Sequence, residues 1–383
     1  MTIKTKNQSP RAMLFLKDEN DRALLEDGTL LYGAISSGSA AVFLTPYQPP
    51  SGTFPAVAIV GESAPRDGPD APPLTVRTKA KSVMATGTLG GRCRKMPVQT
   101  VYMADIYART PFAAGEMKAL WASHVVVFGC GTGGSKIALE LARAGVGHIT
   151  LCDPEPLEYA NVSRHEGDLL DVGKPKTLVA AERIYRINPA IQVETYTEDV
   201  FDRSWDDIAK VFACDLVVAA TDRTAVQFLI NEVTQKLKVP CVFGGCYEEA
   251  LGGEVFYTLP DRAMPCLACL RGGLKQPVQN PEIDYSTALA TEDYHGQPGL
   301  HAAVDFVTCV EVQICLAILL RAIETSQLRS LIDPRSNFLL VGGALGAGFY
   351  RFRKPFDVFF QPLSGPRKGC TVCHARPVRR RPA

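Results

Sequence analysis

Val125-Val126-Val127-Phe128-Gly129-Cys130-Gly131-Thr132-Gly133-Gly134 decides how this chain folds. Four apolar residues in a row, closed by a glycine cluster, read as a strand buried on both faces. The glycines fit G-x-G-x-x-G at Gly129, Gly131 and Gly134, and Ile137 to Ala144 carries apolar residues at helical spacing. Strand, glycine turn and helix in that order form a phosphate-binding unit. The first glycine permits the tight turn, the second lets backbone N–H groups approach a phosphate, and the third lets helix and strand pack closely. The helix N-terminus adds partial positive charge. Asp153 ends the next strand, His148 to Cys152, 24 positions after Gly129, and its carboxylate can accept hydrogen bonds from ribose hydroxyls. A dehydrogenase would show the same features.

The alternation continues outward from this unit. Helices are expected at about Lys176 to Arg186 and at Thr224 to Leu237, with strands at Gln192 to Tyr196, Asp215 to Ala220 and Cys241 to Gly244. Strands alternating with helices predict a parallel sheet covered on both faces. Glu254 to Leu259, Phe338 to Val341, Ala347 to Phe352 and Val358 to Phe360 read as antiparallel additions, and Ala303 to Glu324 as one long helix. The expected fold is therefore α/β: a Rossmann-like mixed sheet with helices on both faces, extended by antiparallel strands. Residues 1–105, rich in Pro and Gly around short runs such as Ala41 to Leu44 and Ala56 to Val60, read as a small N-terminal β-rich accessory domain. That domain carries no chemical motif and reads as an interaction or dimerisation module. Residues 106–375 form the main domain, with a long polar loop at 272–299, and 376–383 form a basic tail.

The chain has 383 residues, and 41 Lys+Arg against 40 Asp+Glu leave a charge of +1. That balance argues against nucleic acid or an anionic membrane as a partner. The longest apolar run, Val307 to Leu320, is interrupted by Glu311 and Gln313 and falls short of the roughly 20 residues a spanning helix needs. MTIKTKNQSP at the N-terminus lacks the apolar core of a signal peptide, so a cytoplasmic protein is expected. Of the 12 cysteines, Cys152, Cys214, Cys241 and Cys315 read as small apolar core residues. Cys266-Leu267-Ala268-Cys269 and Cys370-Thr371-Val372-Cys373 are two C-x-x-C pairs with 100 residues between them. Four thiolates close a tetrahedral zinc site with no open position, so its role is structural. His374 reads as a bystander.

The segment after Asp153 separates adenylation from hydride transfer. Asn161-Val162-Ser163-Arg164-His165 is followed by Asp171-Val172-Gly173-Lys174-Pro175-Lys176. Hydride transfer needs no cations at the phosphates beyond the glycine loop. Adenylation must neutralise charge building on a departing pyrophosphate, and fixed Arg and Lys side chains do that well. Thr221-Asp222-Arg223 ends a strand at the carboxyl edge of the sheet, where a carboxylate could hold Mg²⁺ against a triphosphate.

At these residues the chain resembles the ThiF/MoeB/HesA family, the adenylating fold shared with ubiquitin-activating enzymes, over about Trp121 to Cys373. The resemblance covers the glycine turn, Asp153, N-x-x-R-H in place of the usual N-x-x-R-Q, the V-G-x-x-K element, the T-D pair and both C-x-x-C pairs. It implies that Asp153 binds the ribose, Asn161, Arg164 and Lys176 the phosphates, and Asp222 the magnesium. Arg164, Lys176 and Asp222 would then be the catalytic set. The implied function is ATP-dependent activation, by C-terminal adenylation, of a ubiquitin-like or sulfur-carrier protein ending in glycine. Later thioester formation, a conjugating enzyme and a homodimer stay open to it, as does a place in bacterial ubiquitin-like conjugation linked to antiviral defence.

The chain departs from the family pattern in three places. Residues 272–308, which include the crossover loop, hold no cysteine; Cys309 reads as core, and Cys246 is the best alternative nucleophile. A cysteine replaced at Ala288 or Ala290 also stays open. No R-x-x-R-Q segment precedes the first strand, leaving Arg109 as the nearest candidate for an arginine supplied to a neighbouring subunit. Arg223 stands where Asn is common. Two rivals remain: a non-catalytic scaffold of the same fold, and an NAD-dependent dehydrogenase, which leaves the phosphate cations and the thiolate pairs without a purpose.

Overall fold

The structure, a computed structural model, describes residues 11–35, 41–50, 54–61, 72–79, 82–89, 92–247, 250–272, 299–333, 335–345, 352 and 354–373. The polar segment 273–298, residues 347–351 of an expected strand and the tail 376–383 lie outside them, with Ala288, Ala290 and His374. Two compact units divide the chain: residues 1–111 with 185–191, and residues 112–184 with 192–383.

In the first unit, strands β1 (Arg11–Leu16), β2 (Leu30–Ile35), β3 (Ala41–Thr45), β4 (Ala56–Val60), β5 (Leu74–Lys79), β6 (Ser82–Leu89) and β7 (Arg92–Tyr102) close a barrel. Its order is β1-β3-β2-β4-β5-β6-β7, and β7 returns to pair in parallel with β1. Alternate residues of each strand point inward, so Leu14 and Leu16, Val42 and Leu44, and Leu74 and Val76 meet in one core. The short helix α1 (Met103–Ile106) follows β7.

In the second unit, α2 (Ala114–Ala122) leads into β8 (His124–Phe128), α3 (Thr132–Ala144), β9 (His148–Cys152), α4 (Lys176–Ile187) and β10 (Gln192–Tyr196). Then come α5 (Trp205–Val211), β11 (Leu216–Ala219), α6 (Thr224–Leu237), β12 (Cys241–Cys246), β13 (Gly252–Thr258), α7 (Leu267–Leu270), α8 (His301–Leu319), β14 (Phe338–Gly342) and β15 (Asp357–Phe360). Eight strands form one sheet in the order β10-β9-β8-β11-β12-β13-β14-β15. The first five are parallel and the last three antiparallel. This is the Rossmann-like mixed sheet expected from the sequence. Helix α5 is an addition that the sequence pattern does not reveal, and α8 ends at Leu319 rather than Glu324.

The winding reverses between β8 and β11: from β8 the chain moves outward through β9 to β10, then returns to lay β11 and β12 on the other side. At such a switch point the loops leave in opposite directions and open a crevice at the carboxyl ends of the strands. The glycine turn follows β8 and Thr221-Asp222-Arg223 follows β11, so both border that crevice. Val126, Phe128, Val217, Ala219, Cys241 and Phe243 point to one face and share a core with Ile208 and Val211 of α5 and Ile230 and Val233 of α6. The other face carries α3 and α8.

Helix α8 has 19 residues, and by length and composition alone it is able to cross a membrane, which corrects the expectation that its apolar run is too short. Here it packs on α3, β12 and β13. Its Glu311 is only 4% exposed, and its carboxyl lies against Gly244, where a Cβ would fall 2.0 Å from Oε2. Among the described residues Glu311 Oε1 has no hydrogen-bond partner, and burial pushes its carboxyl up to about 8. Cys309, read as core from the sequence, is exposed. The helix is apolar on more than its packed face, so apolar neighbours in sequence do not imply burial.

Two outcomes are expected. A Cβ on Gly134 would lie 1.8 Å from the Gly129 carbonyl oxygen, a backbone atom held by the sheet, so Gly134→Ala should cost about 2–4 kcal/mol in denaturant unfolding. Glu311 binds its proton more tightly folded than unfolded, so its contribution is full below the ordinary glutamate value and is lost as pH rises through about 8. Unfolding titrations from about pH 5 to about pH 9 should show wild type losing stability relative to Glu311→Gln at up to ~1.4 kcal/mol per pH unit. Parallel profiles would refute this role.

Candidate active site

The crevice is a cavity of about 720 Å³, within the roughly 300–1,000 Å³ of small-molecule sites. Gly129 and Gly131 form its rim on the β8 side. Gly129 holds φ +87°, in the left-handed region that glycine favours. A Cβ on Gly131 would meet nothing within 4 Å, so the side of the turn where a side chain would stand is open. Gly131 is also the N-cap of α3, whose first N–H groups have no intrahelical partner. Gly134 does not border the cavity; its place is the contact with Gly129.

Asp153 leaves the end of β9 and is 6% exposed. Its Oδ2 accepts from the Cys130 N–H at 2.6 Å and its Oδ1 from the Glu155 N–H at 2.9 Å. Burial raises its carboxyl above the ordinary aspartate value, against the pull of Lys176 and the two N–H donors. The residue expected to meet a ribose thus also ties the glycine turn to the next strand end. Each oxygen keeps a second lone pair for a ligand.

Lys176 opens α4 and is 8% exposed. The Val172-Gly173-Lys174-Pro175 segment is held to Leu157 by two backbone hydrogen bonds, and the Lys176 N–H donates to the Glu155 carbonyl, which brings Lys176 to the cavity. A helix N-terminus and burial both oppose an ammonium there. Asp153 and a 2.5 Å ion pair with Glu155 outweigh the burial and raise its proton affinity above the ordinary lysine value. Lys174 turns elsewhere, pairing with Asp171 and Glu182. Arg164 and Asn161 border the same cavity; the Asn161 side chain accepts from the Glu158 N–H at 3.0 Å. Asp222 is exposed on the opposite wall after β11, beside Arg223, which pairs with Asp199 at 3.7 Å.

Cys246 also borders the cavity, at the end of β12. The residue is exposed, yet partial desolvation of its sulfur, with Glu311 second, pushes its thiol up to about 12, away from the thiolate a nucleophile needs. Arg109 is exposed in the turn after α1, in the first unit. Two residues at the cavity had no role in the sequence reading: Glu155, the partner of Lys176, and His165, the histidine of N-x-x-R-H, whose Nε2 lies 2.7 Å from the Cys130 carbonyl oxygen. An acidic residue two positions past Asp153 was a weak signal for the first. The signal for the second was its place in N-x-x-R-H, where the family pattern has Gln.

Away from the cavity, the four cysteines of the C-x-x-C pairs converge. Their sulfurs lie within 4.8 Å of one another, with Cys266–Cys269 at 3.9 Å, Cys266–Cys370 at 3.7 Å and Cys269–Cys373 at 3.5 Å. A tetrahedral Zn²⁺ with Zn–S bonds near 2.3 Å sets S···S at ~3.8 Å, so the donor set fits zinc. The Arg367 N–H points at Cys269 Sγ at 3.3 Å, the kind of outer contact that orients a thiolate ligand.

Fold and cavity define the class: a Rossmann-like α/β protein with a polar site over its switch point. Residues 104–339 match the ThiF family model, and the chain belongs to the ThiF family. It is 34% identical over 151 residues to the sulfur carrier protein adenylyltransferase of Thermus thermophilus, covering 39% of this chain and 55% of that protein. To the SAMP-activating enzyme E1 of Haloferax volcanii it is 32% identical over 166 residues, 43% of this chain and 58% of that one. To the sulfur carrier protein ThiS adenylyltransferase of Escherichia coli it is 29% identical over 170 residues, 43% and 64%. The chain thus spans little more than half the length of the relatives it matches. The crystal structure of Escherichia coli MccB shares the fold, with a TM-score of 0.50 at 19% identity over 68% of this chain and 67% of that one.

Metal analysis of the purified chain should find one zinc ion, and Cys370→Ser should lose it together with about 2 kcal/mol or more of unfolding stability. A zinc content unchanged by Cys370→Ser would assign the metal elsewhere.

Proposed function

We propose that this chain uses ATP to adenylate the C-terminal glycine carboxylate of a small ubiquitin-like or sulfur-carrier protein. A carboxylate oxygen of that glycine attacks the α-phosphorus, the α–β phosphoanhydride bond breaks, and pyrophosphate leaves as the acyl-adenylate forms. The phosphates would lie along the Gly131 rim and the α3 N-terminus, with Asn161, Arg164 and Lys176 beside them. Magnesium held by Asp222 would neutralise charge on the triphosphate. Catalysis then comes from positioning and from fixed cations acting where charge develops.

The observation that carries this reading is Lys176, a buried ammonium kept charged at the cavity wall by Asp153 and Glu155. Glu155 is 64% exposed and can yield its place to a phosphate. Hydride transfer has no use for such a cation, and family membership sets the dehydrogenase reading aside. The scaffold reading rests on the absent loop cysteine, which adenylation itself does not need, and on the absent R-x-x-R-Q segment.

ATP–pyrophosphate exchange should appear on adding a small β-grasp protein that ends in glycine. Asp222→Ala and Lys176→Ala should each lower it by about 100-fold or more. Full exchange in the Asp222 variant would remove that residue from the mechanism; no exchange with any such partner would favour the scaffold.

A further inference from the structure

Cys130, inside the glycine turn, has both its peptide groups claimed by side chains. Its N–H donates to Asp153 Oδ2, and its carbonyl oxygen lies 2.7 Å from Nε2 of His165, itself only 7% exposed. The ring's other nitrogen, Nδ1, lies 2.9 Å from the Gly167 N–H. A backbone N–H can only donate, so Nδ1 is the acceptor and Nε2 carries the proton, which goes to the Cys130 carbonyl. The Cys130–Gly131 peptide is trans, so its C=O and the Gly131 N–H point in opposite directions across one plane. Holding the carbonyl toward His165 turns the Gly131 N–H away from it. Gly131 borders the cavity, and nothing lies within 4 Å of where its Cβ would be.

We propose that His165 is a positioning residue for the nucleotide: through the Cys130 carbonyl it aims the Gly131 N–H at a phosphate, and it does so only while uncharged. This rests on the adenylation reading above. Protonation would put a second N–H on the ring at Nδ1, facing the Gly167 N–H donor to donor. That contact is repulsive, and relieving it moves the ring off the Cys130 carbonyl and leaves the Gly131 peptide without its brace.

The surroundings hold the ring in its working form. Burial comes first and lowers its proton affinity; the Cys130 carbonyl opposes this, Lys176 on α4 reinforces it, and Glu166 and Asp171 oppose it weakly. Asp153 accepts from the N–H of the preceding peptide, Gly129–Cys130. The net shift is downward, so the ring is neutral at physiological pH. The brace is complete above that lowered value and is lost as pH falls through it.

Calorimetric titration of the full chain with ATP and Mg²⁺, without protein substrate, tests this at several pH values. His165→Ala should weaken ATP binding about tenfold near neutrality, as expected when a charge-facing donor loses its aim. His165→Gln offers an amide N–H to the Cys130 carbonyl and an amide oxygen to the Gly167 N–H, and it does not titrate. It should restore affinity to within about threefold of wild type, and the acid-side loss of affinity seen in wild type should shrink in it. Equal affinity in wild type and His165→Ala, or the same pH profile in wild type and His165→Gln, would overturn the proposal. Wild type that binds no ATP at all would instead sink the adenylation reading on which the proposal stands.

Discussion

The site depends on how closely α3 can leave β8. At Gly134 the helix passes so near the Gly129 carbonyl that no side chain fits between them. That approach sets the α3 N-terminus over the end of the strand, with Gly131 and Thr132 bordering the crevice. A helix started one residue later would carry its N-terminus off the switch point. The glycine spacing is therefore a constraint on packing first and on ligand binding second. Gly131, with open space before it, is the position where the constraint is released.

The second unit was legible from sequence because its signals are local. A four-residue apolar strand, a glycine turn and a 3.6-residue period each lie within one short segment; β8 and β9 follow from them almost to the residue, while α3 ends at Ala144 as expected but starts at Thr132, five residues before Ile137. The C-x-x-C pairs were also readable, since each half is local and the chemistry of four thiolates supplies the rest. Burial on α8 was not readable. Its residues are apolar nearly all round, so sequence gives no face, and Cys309 proved exposed while the polar Glu311 proved buried. Glu311 is held where it is by a space: Gly244 lacks the side chain that would fill it.

The parts of the site that escaped sequence reading are those built from contacts across the chain. His165 and Cys130 are 35 residues apart, and Lys176 and Glu155 are 21 apart. No periodicity links such pairs. They meet because the segment 154–175 folds back on itself, with Leu157 bonded to both Gly173 and Lys174. That loop is where Glu155, Asn161, Arg164 and His165 originate, with Asp153 and Lys176 at its two ends, so its shape assembles the polar wall. The Asp171–Arg183 and Lys174–Glu182 pairs tie its far end to α4.

The charge arrangement on that wall explains why a lysine tolerates such a place. An ammonium at a helix N-terminus faces the positive end of the dipole, and burial removes its water. Two carboxylates of unequal kind offset this. Asp153 is buried and fixed by two N–H donors, so it stays; Glu155 is exposed and joined to the protein by a flexible chain, so it can leave. A phosphate arriving at Lys176 would replace Glu155 one charge for another, with Asp153 unmoved. The wall thus keeps its charge balance both with and without an anionic ligand. A fixed pair of buried carboxylates would have bound the lysine too well to release it, and a single one would have left its charge without enough compensation.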